Sequence, residues 1–300
     1  MSETVPLRLV GVGPQRTGST WLDVQLRRHP GLAMPEHVKE TFFFDRHYAR
    51  GLTDYRSHFA SGAEAWAEIG PTYFDHPEAP ARIRLASPEA RIVVTLRDPI
   101  DRAVSLFQHH ARKGRVGTEF WAAAEAQPSI LTAGDYADHL GLWRETFGDE
   151  NVLVLLLDDI QADPAAALAR LTDWAGIAPL APEAAARERV NAASAPRFPL
   201  AAKVAARAVT FLRDARLHRV VELGKRLGLQ RVYGGSDAPP PTITAADRQR
   251  LAERYAPHVA AVEALLGRDL GWLSPPDAPP PEARRPASSS DPDPAPLASR

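Results

Sequence analysis

The chain has no cysteine among its 300 residues. That excludes disulfides, thiol nucleophiles and the cysteine-based zinc patterns. A dominant charge of one sign is also missing, since 36 Lys and Arg stand against 37 Asp and Glu, a formal net charge of -1. With a pI of about 6.8, no global field draws in nucleic acid or an anionic membrane, so any anion site must be local. No stretch approaches the roughly 18 uninterrupted apolar residues of a membrane span. Met1 to Val10 lacks the basic start and apolar run of a secretory leader, so a cytoplasmic protein is expected. Internal repeats are absent.

What is present divides into a long patterned body and a biased end. From about Ser274 onward Pro, Ala, Ser and Asp dominate, as in Pro275-Pro276-Asp277-Ala278-Pro279. Such a segment buries too little apolar surface to offset its ordering entropy. Residues 274–300 are therefore expected to be a disordered tail behind a single domain over 1–273. In that domain, apolar runs at Leu7–Val12, Ile92–Leu96 and Val152–Leu157 alternate with amphipathic segments beginning at Thr20, Pro99 and Asp163. Apolar strands alternating with helices predict an α/β fold of three layers, a central parallel sheet flanked by helices. Asp98 is a plausible N-cap and Pro99 a good first helical residue. A last helix is predicted from Thr244 to Leu266, with a kink at Pro257. Between them, 200–232 carries Lys203, Arg207, Arg213, Arg216, Arg219, Lys225, Arg226 and Arg231. It reads either as a solvated helix face or as a surface for peripheral contact with an anionic acceptor or membrane.

The most informative stretch runs Leu9-Val-Gly-Val-Gly-Pro-Gln-Arg-Thr-Gly-Ser-Thr-Trp21. A P-loop of the nucleotide-hydrolysing type needs Gly, four residues, Gly, then Lys and Ser or Thr. Gly13 and Gly18 keep that spacing, but Ser19 fills the lysine position, Thr20 the hydroxyl position, and the cation has moved into the loop as Arg16. Backbone geometry for one phosphate remains, while triphosphate hydrolysis loses its lysine. A second strand-to-helix turn offers Arg97 and, eight residues on, Ser105. Ser105 lies roughly 9 Å along the predicted helix at 1.5 Å per residue, so the two side chains could converge on one anionic group. Equally, Arg97 could pair with Asp98 or Asp101. Two cationic turns at one sheet edge suit a ligand with two separated anionic groups.

Residues 13–21 resemble the 5′-phosphosulfate loop of sulfotransferases that use 3′-phosphoadenylyl sulfate, and Arg91 to Ser105 resembles their 3′-phosphate motif. Lys39-Glu-Thr-Phe-Phe-Phe-Asp45, Glu68-Ile-Gly-Pro-Thr-Tyr-Phe74 and Leu266-Gly-Arg-Asp-Leu-Gly-Trp272 match in the family's order. The likeness is greatest to the branch with heparan sulfate sulfotransferases and their bacterial relatives. It implies transfer of a sulfuryl group from that donor to a hydroxyl acceptor, with carbohydrate, lipid headgroup and secondary metabolite as the classes open. It implies no metal, and donor contacts at Arg16, Thr17, Gly18, Ser19, Thr20, Trp21, Arg97 and Ser105. Arg16 stands where the family has a loop lysine near the bridging oxygen. Being arginine, it implies electrostatic help without proton transfer.

The resemblance also places Glu40 at the family's catalytic glutamate, a general base beside Phe42, Phe43 and Phe44 that could raise its pKa. Without the resemblance, Lys39 and Glu40 read as a loop ion pair. Ile69 stands where the heparan sulfate enzymes carry a lysine, and the relatives' disulfide has no counterpart here. Two other readings compete. A P-loop kinase or nucleotidase would need Asp158 or Asp159 to hold metal, and a non-catalytic binder of adenosine bisphosphate would need neither. The residues leave the acceptor and the oligomeric state undetermined.

Overall fold

The computed structural model describes residues 4–181, 195–196, 234–236 and 240–273. The basic 200–232 segment and the 274–300 tail lie outside the described residues.

Four strands form one parallel sheet: β1 (Leu7–Gly13), β2 (Trp66–Ile69), β3 (Arg91–Leu96) and β4 (Val152–Leu156). Their spatial order is β2-β1-β3-β4. The chain leaves β1 in one direction and returns to its other side as β3, so a topological switch point lies between β1 and β3. Ligands of open parallel sheets bind at such a crevice, beyond the carboxyl ends of the strands.

Both faces of the sheet are covered, and strand alternation sorts the side chains between them. Ile92, Val94 and Leu96 of β3 face one core with Val152, Val154 and Leu156 of β4, while Val93, Leu153 and Leu155 face the other. The second core is closed by α1 (Ser19–Leu26) through Trp21, Leu22 and Leu26. After two short helices, α2 (Gly51–Arg56) and α3 (Ala79–Ala86), α4 (Pro99–Arg112) joins the first core through Ile100, Ala103, Leu106 and Phe107. The short α5 (Phe120–Ala126) and α6 (Ser129–Thr132) then lead into α7 (Tyr136–Phe147). Past β4 come α8 (Leu157–Ala162) and α9 (Pro164–Ala175), and α10 (Ala245–Leu266) closes the body. The expected three-layer arrangement is thus observed.

Local sequence explains the boundaries of these elements. Asp98 caps α4 by accepting hydrogen bonds from the N–H groups of Ile100 and Asp101 at 2.7 and 3.1 Å, and Pro99 takes the first helical position. Burial pushes the Asp98 carboxyl up to about 6 despite those two donors. Asp163 caps α9 in the same way, and Thr244 with Asp247 forms a capping box at α10. Helix α10 runs through Pro257 as one 22-residue element. The buried stripe of Leu251, Tyr255, Val259 and Val262 continues on both sides of the proline and holds the helix as a unit. Strand β2 gives no apolar run in sequence, because the buried carboxylate of Glu68 interrupts it. Gly234–Ser236 pairs antiparallel with Ala195–Pro196. Among the described residues, no helix is long and apolar enough to cross a membrane.

Candidate active site

The loop from Gly13 to Gly18 leaves β1 at the switch point and enters α1 directly. Its path depends on left-handed backbone at Gly13 (φ 100°), Arg16 (φ 74°) and Gly18 (φ 107°). A Cβ at Gly13 would stand 2.6 Å from the Cα and carbonyl oxygen of Pro71, so backbone approaches backbone there and only glycine fits. Arg16 has no such licence. Positive φ costs a non-glycine residue on the order of 1–3 kcal/mol. That conformation sends its side chain towards α4, where Arg16 Nε donates to Ser105 Oγ at 2.9 Å.

Arg97 and Ser105, which could converge on one anionic group, here each have another partner. Arg97 instead meets Asp101 at 3.5 Å, and Asp101 also receives Arg248 at 3.1 Å. The two anion turns are therefore joined: the loop arginine occupies the hydroxyl of the second turn. Burial lowers the pKa of Arg16, and the nearby charges of Arg112 and Arg97 lower it further. His109, on the same helix, is held neutral near pH 7. Burial first, then Lys113 and Arg16, push its pKa down to about 3, and His110 falls to about 4 for similar reasons. The last turns of α4 thus carry two neutral imidazoles, His109 half-buried and His110 buried.

The remaining loop residues divide by environment. Thr17 is fully buried, donating to the Pro14 carbonyl at 2.6 Å and sharing a 2.8 Å hydrogen bond with Thr95. Its hydroxyl braces the loop, which leaves backbone to face a ligand. Trp21 is buried in the second core beside Leu22. Ser19 is buried and Thr20 exposed. As the first residues of α1, both have N–H groups with no partner inside the helix, the local basis of anion binding.

The lysine absent from the loop arrives from another segment. Lys39, between α1 and β2, donates from Nζ to Thr20 Oγ1 at 3.1 Å and stands 3.6 Å from Glu40 Oε1. Glu40 and Lys39 do form the ion pair that sequence alone allowed. Glu40 is mostly covered, however, with 19% of its side chain exposed against 33% for Lys39. Burial raises the Glu40 pKa, while Lys39 and Arg46 pull it back.

A buried carboxylate that the sequence left without a role fixes this segment. Glu68 of β2 is fully buried and accepts from the Thr41 hydroxyl and N–H, from Tyr55 Oη at 2.7 Å and from Tyr73 Oη at 2.8 Å. The Phe43 N–H donates to Tyr73 Oη at 3.1 Å, and Phe42 takes a left-handed turn at φ 53°. Glu40 is therefore attached to the sheet through its neighbour Thr41. Phe43 and Phe44 are core residues, packed on Tyr55 and Tyr73. The signal for this platform was Glu68 followed five residues later by Tyr73, which becomes meaningful only once β2 brings both beneath Thr41.

At the far side, Asp158 accepts from Trp272 Nε1 at 3.1 Å and Asp159 pairs with Arg268 at 2.6 Å. Both carboxylates are engaged by the Leu266–Trp272 segment, in contrast to the free metal ligands that a kinase reading requires.

A family profile described as "Sulfotransferase domain" matches residues 8–193. The bifunctional heparan sulfate N-deacetylase/N-sulfotransferase 1 of Caenorhabditis elegans is 31% identical over 183 residues, 55% of this chain. The chain spans only 22% of that relative's length. Heparan sulfate glucosamine 3-O-sulfotransferase 6 of Homo sapiens is 29% identical over 271 residues, covering 87% of this chain and 72% of the relative. In fold, the chain is similar to a crystal structure of a sulfotransferase from Alicyclobacillus acidocaldarius, with a TM-score of 0.62 and 21% identity. That match covers 90% of this chain and 99% of the other. With the profile spanning more than half its length, the chain belongs to the sulfotransferase domain family.

Proposed function

We propose that residues 1–273 act as one catalytic unit that moves a sulfuryl group from 3′-phosphoadenylyl sulfate to a hydroxyl of a glycan or small-molecule acceptor. The observation that carries the reading is the meeting of a covered carboxylate, Glu40, with the phosphate-type loop at Thr20 through Lys39. The fit of the donor rests on the charge at the switch point. Arg97 and Arg112 approach Arg16 closely enough to lower its pKa, and a bound anion relieves that crowding.

In this reading, N–H groups of Gly18 to Thr20 and the Arg16 side chain hold the phosphosulfate end, and Arg97 with Ser105 holds the 3′-phosphate. Fixing the donor supplies orientation. Arg16 stabilises charge as it grows on the leaving oxygen. Glu40 removes the acceptor proton, and its raised pKa makes it a stronger base than an exposed carboxylate. The names of the heparan sulfate relatives support a glycan acceptor, and Ile69, in place of their lysine, argues that the acceptor differs from theirs.

The test is Glu40→Gln, assayed for labelled sulfate transfer from the donor to a panel of sugars, phenols, sterols and amines. The variant should lose transfer by at least about 100-fold while binding adenosine 3′,5′-bisphosphate normally by calorimetry. Wild-type turnover in Glu40→Gln would refute Glu40 as base.

A further inference from the structure

Leaving-group chemistry at this site asks for a proton donor that the loop does not contain. Arg16 is a poor proton donor, because a guanidinium holds its charge far more tightly than an ammonium, and its Nε already donates to Ser105. Lys39 is differently placed. Its ammonium touches Thr20, the hydroxyl position of the loop, at 3.1 Å and faces the Glu40 carboxylate at 3.6 Å. One exchangeable cation thus sits between the donor cradle and the base. The other charged groups facing Glu40 are Arg46 and Asp45, which stand 3.5 Å apart and pair with each other.

We propose that Lys39 is a catalytic residue that protonates the leaving phosphate oxygen, and that Lys39 and Glu40 together form a closed proton relay; this rests on the transferase reading above. As the acceptor oxygen bonds to sulfur, the bond from sulfur to the bridging oxygen breaks, and its electron pair stays on that oxygen. Glu40 takes the acceptor's hydroxyl proton. Lys39 gives one of its own to the leaving oxygen and becomes a neutral amine. Protonated Glu40 then returns a proton to Lys39 across the gap between them. The proton lost by the acceptor departs on the phosphate, and both side chains regain their starting charge without exchange with solvent.

The full chain is compared with Lys39→Met and Lys39→Arg. Three quantities are read: adenosine 3′,5′-bisphosphate affinity by calorimetry, the phosphorus NMR shifts of its two phosphates when bound, and single-turnover release of labelled sulfate from 3′-phosphoadenylyl sulfate to water or the acceptor panel. Lys39→Met should slow release by about 100-fold or more, keep affinity within about threefold, and move the 5′-phosphate resonance while leaving the 3′-phosphate resonance in place. Lys39→Arg keeps the charge but not the transferable proton, and it should restore less than about a tenth of the lost rate.

Wild-type speed in Lys39→Arg overturns proton donation, and an unmoved 5′-phosphate resonance in Lys39→Met overturns contact with the leaving group. A wild-type chain that binds the bisphosphate and releases no sulfate also overturns the relay. Failure of the wild-type chain to bind the bisphosphate at all refutes the transferase reading itself, which separates the two failures.

Discussion

Replacing Tyr73 by Phe removes one hydroxyl and leaves the ring, so no cavity opens and the effect isolates the Glu68 platform. That hydroxyl donates to the buried Glu68 carboxylate at 2.8 Å, accepts from the Phe43 N–H at 3.1 Å and shares a 3.1 Å contact with Thr41. A hydrogen bond to a charged acceptor contributes about 1.5–3 kcal/mol. The Phe43 N–H retains Thr41 Oγ1 at 3.1 Å, so its loss adds little, and a cost of about 2–3 kcal/mol is expected. Tyr55→Phe is the matched control. Its hydroxyl donates to the other carboxylate oxygen of Glu68 at 2.7 Å, and a cost of about 1.5–2 kcal/mol is expected.

Of the two tyrosines, Tyr73 also accepts from the backbone of the segment that carries Glu40, at the Phe43 N–H. Urea unfolding should therefore show both variants destabilised. Transfer should fall by about 10–100-fold in Tyr73→Phe alone, the scale of a small misplacement of a reacting group. Bisphosphate binding should stay unchanged in both. Equal slowing in the two variants, or full-speed transfer in a destabilised Tyr73→Phe, would refute the link between Glu68 and Glu40. Loss of less than about 0.5 kcal/mol in both would refute Glu68 as a buried anchor.

Gly13→Ala should unfold or collapse the loop, because its Cβ meets Pro71 backbone at 2.6 Å; circular dichroism and bisphosphate binding would report this, and a wild-type-like protein would contradict it. Ser105→Ala frees Arg16 from its 2.9 Å partner and should weaken bisphosphate binding by about tenfold while moving stability by less than about 0.5 kcal/mol. For pH, Glu40 works as the carboxylate and burial raises its pKa. Transfer should thus fall as pH drops through that raised pKa, at higher pH than for an exposed glutamate, and Glu40→Asp should shift the limb if Glu40 is the titrating group.

Sequence determined the parts of this protein that rest on local rules. The apolar runs of β1, β3 and β4, the Asp98–Pro99 and Asp163–Pro164 helix starts and the glycines of the loop each act within a few residues. Each is visible without the fold. The absence of lysine from that loop was equally plain.

Three features were decided only by tertiary structure. Strand β2 carries a charge whose burial is possible because Tyr55, Tyr73 and Thr41 converge on it, and no local pattern announces that convergence. Arg16, 89 residues from Ser105, turns to it through a backbone conformation that its side chain alone would not choose. Lys39 reaches Thr20 from within the connection between α1 and β2, so the lysine missing from one segment is supplied by another. Spacing along the chain could state what the loop lacked, and packing around the switch point settled what stands in its place.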